Sequence, residues 1–160
     1  MSRPARVTLR PTTAEDLPVL FDFQRDPEAV RMAAFTPPDP DDRAAFDARW
    51  ARLLRDEGVT SRTVLEGGRI VGQVSAWGGP DEPHVSYWVG REHWGRGIAG
   101  AALTAFLAEY PVRPLYGAAA WDNYGSLRVL EKCGFTVYGE NKDFAAGRGE
   151  EVTEVLLVLT

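Results

Sequence analysis

The segment Trp94-Gly95-Arg96-Gly97-Ile98-Ala99-Gly100 sets three glycines and an alanine between two regular runs. A strand-like stretch, His84-Val85-Ser86-Tyr87-Trp88-Val89, comes before it, and a helix-like stretch from Ala101 to Glu109 follows. A turn of this composition leaves backbone N–H groups unshielded at a helix N-terminus, where the helix dipole is positive. Such a site holds anions, phosphate or pyrophosphate above all. It is not a Walker A loop, because no Lys-Ser or Lys-Thr pair follows the last glycine. Gly95-x-Gly97-x-x-Gly100 has the spacing of a dinucleotide fingerprint, but that motif follows the first strand of its fold, and several strands precede it here. Taken alone, the run is equally compatible with a glycine-rich turn that holds nothing.

A second group of reactive side chains lies one strand further on. Asn123-Tyr124-Gly125-Ser126-Leu127-Arg128-Val129-Leu130-Glu131-Lys132-Cys133-Gly134-Phe135 reads as a helix opened by a polar cap and stopped by glycine. Asn123 and Ser126 are three apart and share a face, from which Tyr124 points away. The serine hydroxyl can donate a proton. Cys133 occupies an apolar helix position and reads as a small hydrophobe rather than an acyl carrier. His93 and Glu92, in the loop before the glycine turn, read as solvated. Trp50, Trp77 and Trp121 either line an amine site or fill the core. Asp39, Asp41 and Asp42 either draw in a cation or cap a helix.

The elements that would position these groups follow from periodicity. Arg6 to Arg10 alternates as a half-buried strand does. A helix begins at Thr13, with Asp16 three residues on, and runs to about Gln24. A second short helix covers Pro27 to Ala33. The prolines of Phe35 to Pro40 enforce a loop, and Asp41 to Asp56 is a third helix. Thr60 to Leu65 and Arg69 to Trp77 form a hairpin around Glu66-Gly67-Gly68. Gly78 to Glu82 is a turn, and Leu115 to Ala120 is a short strand. Phe135 to Tyr138 and Val152 to Leu159 close the chain as strands. The order is that of a mixed α/β domain on one sheet.

Composition narrows the function. The 160 residues carry a net charge of −5, against the basic surface that nonspecific nucleic-acid binding needs. One cysteine and two histidines leave no disulfide framework and make a metal centre a poor prospect. No apolar run approaches the roughly 18 residues of a membrane span. Met1 to Arg6 has no apolar segment behind it and does not read as a signal peptide. The expected setting is the cytoplasm.

Together, the two motifs resemble the GNAT superfamily of acetyl-CoA-dependent N-acetyltransferases. The similarity is greatest to the branch with the ribosomal-protein N-terminal acetyltransferases. That branch pairs a strand such as Tyr87-Trp88-Val89-Gly90 with a W-G-[KR]-G-x-[AG] turn, here Trp94 to Ala99, and then N-x-x-S-x-x-V-L-E-K-x-G-F, here Asn123 to Phe135. The resemblance implies one domain over 1–160, with a core from about 6 to 160. Its sheet would be mixed and mostly antiparallel, with about seven strands splayed between the fourth and fifth and about four flanking helices.

It also implies roles. The backbone of Tyr87, Trp88 and Val89 would pair with the pantetheine arm of acetyl-CoA, with the Val89 N–H as oxyanion donor. The backbone of Gly95, Arg96, Gly97, Ile98, Ala99 and Gly100 would cradle the pyrophosphate, with the Arg96 guanidinium either near the phosphates or solvated. Asn123 and Ser126 would lie near the thiol end. Many superfamily members protonate the leaving thiolate with a tyrosine. Leu130 holds that position here, so Ser126 is the expected donor. The family's strand often carries a glutamate where this chain has His84, and histidine titrates near 6.5, suited to base work. The acceptor would be an amine, bordered by the first helices, the loop Phe35 to Pro40 and the last hairpin, Gly139 to Gly149. Dimers occur in the superfamily, and the sequence marks no interface. Leu130 and the missing glutamate leave open a CoA-binding sensor without catalysis. A dinucleotide oxidoreductase is disfavoured by element order.

Overall fold

The computed structural model describes residues 6–160. Residues 1–5, on which the reading of the N-terminus rests, lie outside the described residues. Seven strands form one sheet in the order β1-β2-β3-β4-β5-β7-β6. They are β1 (Thr8–Pro11), β2 (Thr60–Glu66), β3 (Arg69–Trp77), β4 (His84–Val89), β5 (Leu115–Ala120), β6 (Thr136–Ala145) and β7 (Glu150–Leu159). Five α-helices flank it: α1 (Leu17–Gln24), α2 (Pro27–Ala33), α3 (Arg43–Arg55), α4 (Ile98–Glu109) and α5 (Tyr124–Lys132). Every neighbouring strand pair is antiparallel except β4 and β5.

That exception shapes the site. β4 and β5 are joined by α4, and a crossover helix makes its two strands parallel. Their ladder contains one pairing, His84 with Tyr116, supported by the Tyr116 N–H donating to the Pro83 carbonyl at 2.9 Å. Beyond it the strands part. β4 stays with β3, from His84 opposite Trp77 to Val89 opposite Gly72. β5 stays with β7, from Leu115 opposite Leu159 to Ala120 opposite Glu154.

Burial follows the pleat. Val74, Ala76, Val85, Leu115 and Leu157 turn to one face, where Ile98, Ala102, Leu103 and Phe106 of α4 and Leu130 of α5 close the main core. Full burial of side chains such as Leu103 and Phe106 stabilises by about 1.5–3 kcal/mol each. On the other face Leu17, Leu20 and Phe21 of α1 meet Phe46 and Trp50 of α3. A third cluster joins Ala34, Ala120, Ala145 and Val152.

The start of α1 rests on one buried carboxylate. Asp16 ends a single 3-10 turn (Ala14–Asp16) and accepts from both terminal nitrogens of Arg10, from the Thr13 N–H and from the Thr63 hydroxyl, all within 2.9 Å. Burial alone would raise its pKa. The donors from Arg10, Thr13 and Thr63, with the Arg10 charge, outweigh that and hold it at about 2. A carboxylate depressed from 3.8 to about 2 contributes stability that is full above the unfolded value and lost as pH falls through the folded one. The contribution is on the order of 2 kcal/mol. Asp16→Asn should therefore be less stable than the parent at pH 7 in denaturant titrations. The gap should narrow between about pH 4 and pH 2. A gap independent of pH would contradict the ionised network.

Candidate active site

A cavity of about 460 Å³ opens where β4 leaves β5. Tyr87, Trp88 and Val89 form one wall, and the loop and first turn of α4 form the second, through Trp94, Gly95, Gly97, Ile98, Ala99 and Gly100. The first turn of α5 forms the third, with Asn123, Tyr124, Gly125 and Ser126. Ala29, Met32 and Ala33 of α2 close one side.

Each wall has a local cause. The Gly90 N–H donates to the Val71 carbonyl of the β3 segment at 3.0 Å. Since N–H groups alternate along a strand, those of Tyr87 and Val89 face the opposite way, into the gap left by β5. The Val89 carbonyl on that side accepts from the Trp94 indole at 3.0 Å, which ties the loop to the strand end. The Trp88 indole donates to the Phe23 carbonyl at 3.1 Å and holds β4 against α1 on the other face.

Gly95 and Gly97 both have φ of +76°, and Gly97 caps α4 in the left-handed region. A side chain would be strained there, which is the physical reason for glycine at these turns. A Cβ on Gly95, Gly97 or Gly100 would meet no atom within 4 Å, so the loop faces open space. No acidic residue stands in the first turn of α4, so its positive end is not neutralised locally. This backbone is suited to an anion.

At α5, the Asn123 side chain caps the helix by accepting from the Ser126 N–H at 3.3 Å. Ser126 Oγ lies 2.7 Å from the Tyr87 hydroxyl, which reaches across from β4. The segment just before the cap is anchored separately. Arg148, in the β6–β7 turn, makes two hydrogen bonds to Asp122, at 2.7 and 2.8 Å, and a third to the Arg31 carbonyl at 2.7 Å.

Of the residues singled out in the sequence, Tyr87, Trp88, Val89, Gly95, Gly97, Ile98, Ala99, Gly100, Asn123 and Ser126 line this cavity together. Two are set apart. The Arg96 guanidinium turns away to an ion pair with Glu66 of the β2–β3 hairpin, at 2.5 Å. His84 sits at the closed end of the strand pair, on the face opposite Tyr87. Its ring stacks on Trp77 at 4.7 Å and lies 5.6 Å from Tyr116.

Other readings change. His93, expected in solvent, is buried at 4% exposure beside Phe23 and lines the cavity, because a 3-10 turn (Arg91–His93) folds it inward. Trp50 is core, whereas Trp77 and Trp121 are exposed. Cys133 packs against the main core with its sulfur 3.7 Å from the Thr104 hydroxyl. Asp42 caps α3 through the Ala45 N–H, and Asp41 pairs with Arg25. Sequence reasoning missed the Tyr87 hydroxyl, because its partner lies on a distant helix. It also missed Glu154 of β7, on the same face as His84. Burial first, then Asp143, pushes the Glu154 carboxyl above the ordinary range. Among the described residues, no group of three or more His, Cys, Asp or Glu side chains is placed to hold a metal ion. No described helix is long and apolar enough to cross a membrane.

Comparison with known proteins is consistent with this geometry. A family model described as acetyltransferase (GNAT) domain matches residues 6–136. The uncharacterized N-acetyltransferase p20 of Bacillus licheniformis is 25% identical over 156 residues, covering 90% of this chain and 86% of its own. Among solved structures, spermidine N-acetyltransferase from Vibrio cholerae, in complex with CoA and spermine, superposes with a TM-score of 0.80 at 18% identity over 95% of each chain. The ribosomal-protein-alanine N-acetyltransferase of Brucella melitensis superposes with a TM-score of 0.80 at 20% identity, over 95% of this chain and 98% of its own.

Proposed function

The chain belongs to the acetyltransferase (GNAT) domain family, and on that premise we propose that it transfers acetyl from acetyl-CoA directly to a primary amine at the mouth of the β4–β5 gap. One observation carries the reading. The unpaired edge of β4 and the N-termini of α4 and α5 converge on a single cavity. That combination offers a peptide-like edge for the amides of a pantetheine arm, an anion cradle for a pyrophosphate and a hydroxyl at the far end.

The Tyr87 and Val89 backbone pairs with the extended arm, and the N–H groups from Gly95 to Gly100 face the phosphates. Arg96, held by Glu66 outside the cavity, leaves those contacts to the backbone. The acceptor amine must be neutral to attack. An α-amino group has a pKa of about 7.7–8, and a lysine about 10.4. The Val89 N–H donates to the oxyanion as the carbonyl carbon becomes tetrahedral. Ser126 Oγ–H gives its proton to the departing sulfur and regains one from solvent. The nitrogen loses one proton as the sulfur gains one, so the exchange balances. His84, the base expected from the sequence, stands at the other end of β4 from Val89 and on the face opposite Tyr87, so the amine's proton is assigned to solvent. The enzyme is expected to work in the cytoplasm, and its sparse cysteine suits that compartment.

The test is release of free CoA thiol from acetyl-CoA against a panel of amines. It would contain peptides with free N-termini, amino acids, polyamines and aminoglycosides. Release that depends on one amine class supports the reading and names the acceptor. Acetyl-CoA binding with no release on any amine would favour the sensor reading instead.

A further inference from the structure

Tyr87 presents more than its backbone to the cavity. Its side chain lies on the helix-covered face of β4, opposite Val74 of β3, and packs against the main core. Its hydroxyl crosses the gap to the first turn of α5. There two oxygens are in reach: Ser126 Oγ at 2.7 Å, where either hydroxyl can donate, and the Ser126 carbonyl at 3.2 Å. A phenol has one proton to give. The carbonyl lies in α5, where the N–H four residues on is its regular partner. The shorter contact is to Oγ.

The direction of that contact decides what Ser126 can do. If Ser126 donates to Tyr87, its proton is committed to the phenol and not to the leaving sulfur. If Tyr87 donates to Ser126, the serine proton is free to turn into the cavity, and the oxygen left after its transfer is already hydrogen-bonded. We propose that the Tyr87 hydroxyl is a positioning residue that donates to Ser126 Oγ and so commits the serine proton to the leaving sulfur. The inference rests on the reading of Ser126 given above. The proton on Tyr87 is not transferred. Burial first, opposed by the Ser126 contact and helped by Cys133, pushes its pKa to about 12, so the donor is present throughout the working pH range.

Sequence comparison alone would not suggest this, because the phenol stands on a strand and not at Leu130, where the family's tyrosine would be. Leu130 is instead buried at 1% exposure, with its side chain packed over Gly117. β4 supplies the hydroxyl that the helix lacks at that position.

The test is a double-mutant cycle of Tyr87→Phe and Ser126→Ala, read as kcat and as KM for acetyl-CoA, with melting temperatures in parallel. Tyr87→Phe removes one oxygen and keeps the ring. It should lower kcat about tenfold, the scale of one lost hydrogen bond, with KM within about twofold. The factor should be constant from about pH 6 to pH 10, as expected of a donor that does not titrate there. In the Ser126→Ala background the same change should have no further effect on kcat. Three results would overturn the inference. The first is wild-type kcat in Tyr87→Phe beside an impaired Ser126→Ala. The second is an equal tenfold loss in both backgrounds, which would make the phenol merely structural. The third is wild-type turnover in Ser126→Ala, which would remove the underlying reading of Ser126 itself.

Discussion

Replacing Ser126 with alanine is expected to lower kcat roughly a hundredfold while leaving the dissociation constant for acetyl-CoA within about twofold of the parent. General acid catalysis contributes about 10²–10⁴. The lower end applies here because a thiolate leaves more readily than an amine or alkoxide. The affinity should hold because Ser126 stands at the α5 wall, while the phosphate contacts proposed above fall to the α4 loop, a separate wall of the cavity. The fold should hold as well, since the alanine keeps the backbone N–H that donates to the Asn123 side chain. Steady-state turnover together with calorimetric titration of acetyl-CoA separates the two terms. Equal losses in affinity and turnover would make Ser126 a binding residue, and no loss would remove it from the chemistry.

Gly97→Glu should have the opposite signature. It places a side chain at φ +76°, at the N-cap of α4, and a negative charge where the backbone faces open space. The left-handed conformation costs about 1–2 kcal/mol in a residue with a Cβ, and the carboxylate opposes a bound phosphate at the helix terminus. Affinity for acetyl-CoA should fall on the order of a hundredfold. Strain alone can be separated from ligand loss by Gly68→Glu. That glycine has φ +79° in the β2–β3 turn, and a Cβ on it likewise meets nothing within 4 Å. Both variants should lose similar stability in denaturant titrations, and only Gly97→Glu should lose acetyl-CoA. Equal affinity in the two would argue that the α4 loop does not face the phosphates.

The parts of this protein that were legible in its sequence are those written in local chemistry. The β2–β3 hairpin turns at Gly67-Gly68, within the expected Glu66-Gly67-Gly68, with Glu66 itself closing β2, and Leu115–Ala120 and His84–Val89 are strands with the expected bounds. Asn123 caps α5, and Gly97 caps α4. The seven-stranded sheet with its parallel β4–β5 pair matches the expectation, with five α-helices where about four were anticipated. The local pattern marks a strand from Phe135 to Tyr138, whereas β6 extends from Thr136 to Ala145. It is an edge strand exposed on both faces, with Val137, Tyr138 and Phe144 open to solvent. A strand open on both faces until its last residue, the buried Ala145, carries no apolar alternation to read. Long-range pairings were equally hidden. The Arg96–Glu66 ion pair spans 30 positions, and the Tyr87–Ser126 contact spans 39. Neither the inward turn of His93 nor the stacking of His84 on Trp77 follows from neighbouring residues.

The central claim is that the gap between β4 and β5 receives acetyl-CoA along Tyr87–Val89 and against the α4 loop. Amide hydrogen exchange with and without saturating acetyl-CoA tests it most directly, because exchange reports local opening and bound-state protection residue by residue. The account predicts new protection at 87–89, 95–100 and 123–126, with the β2–β3 hairpin and α3 unchanged. Protection concentrated instead around Trp121 and Arg148, where a second cavity lies beside the β6–β7 turn, would contradict it. So would exchange unaltered by a ligand shown to bind.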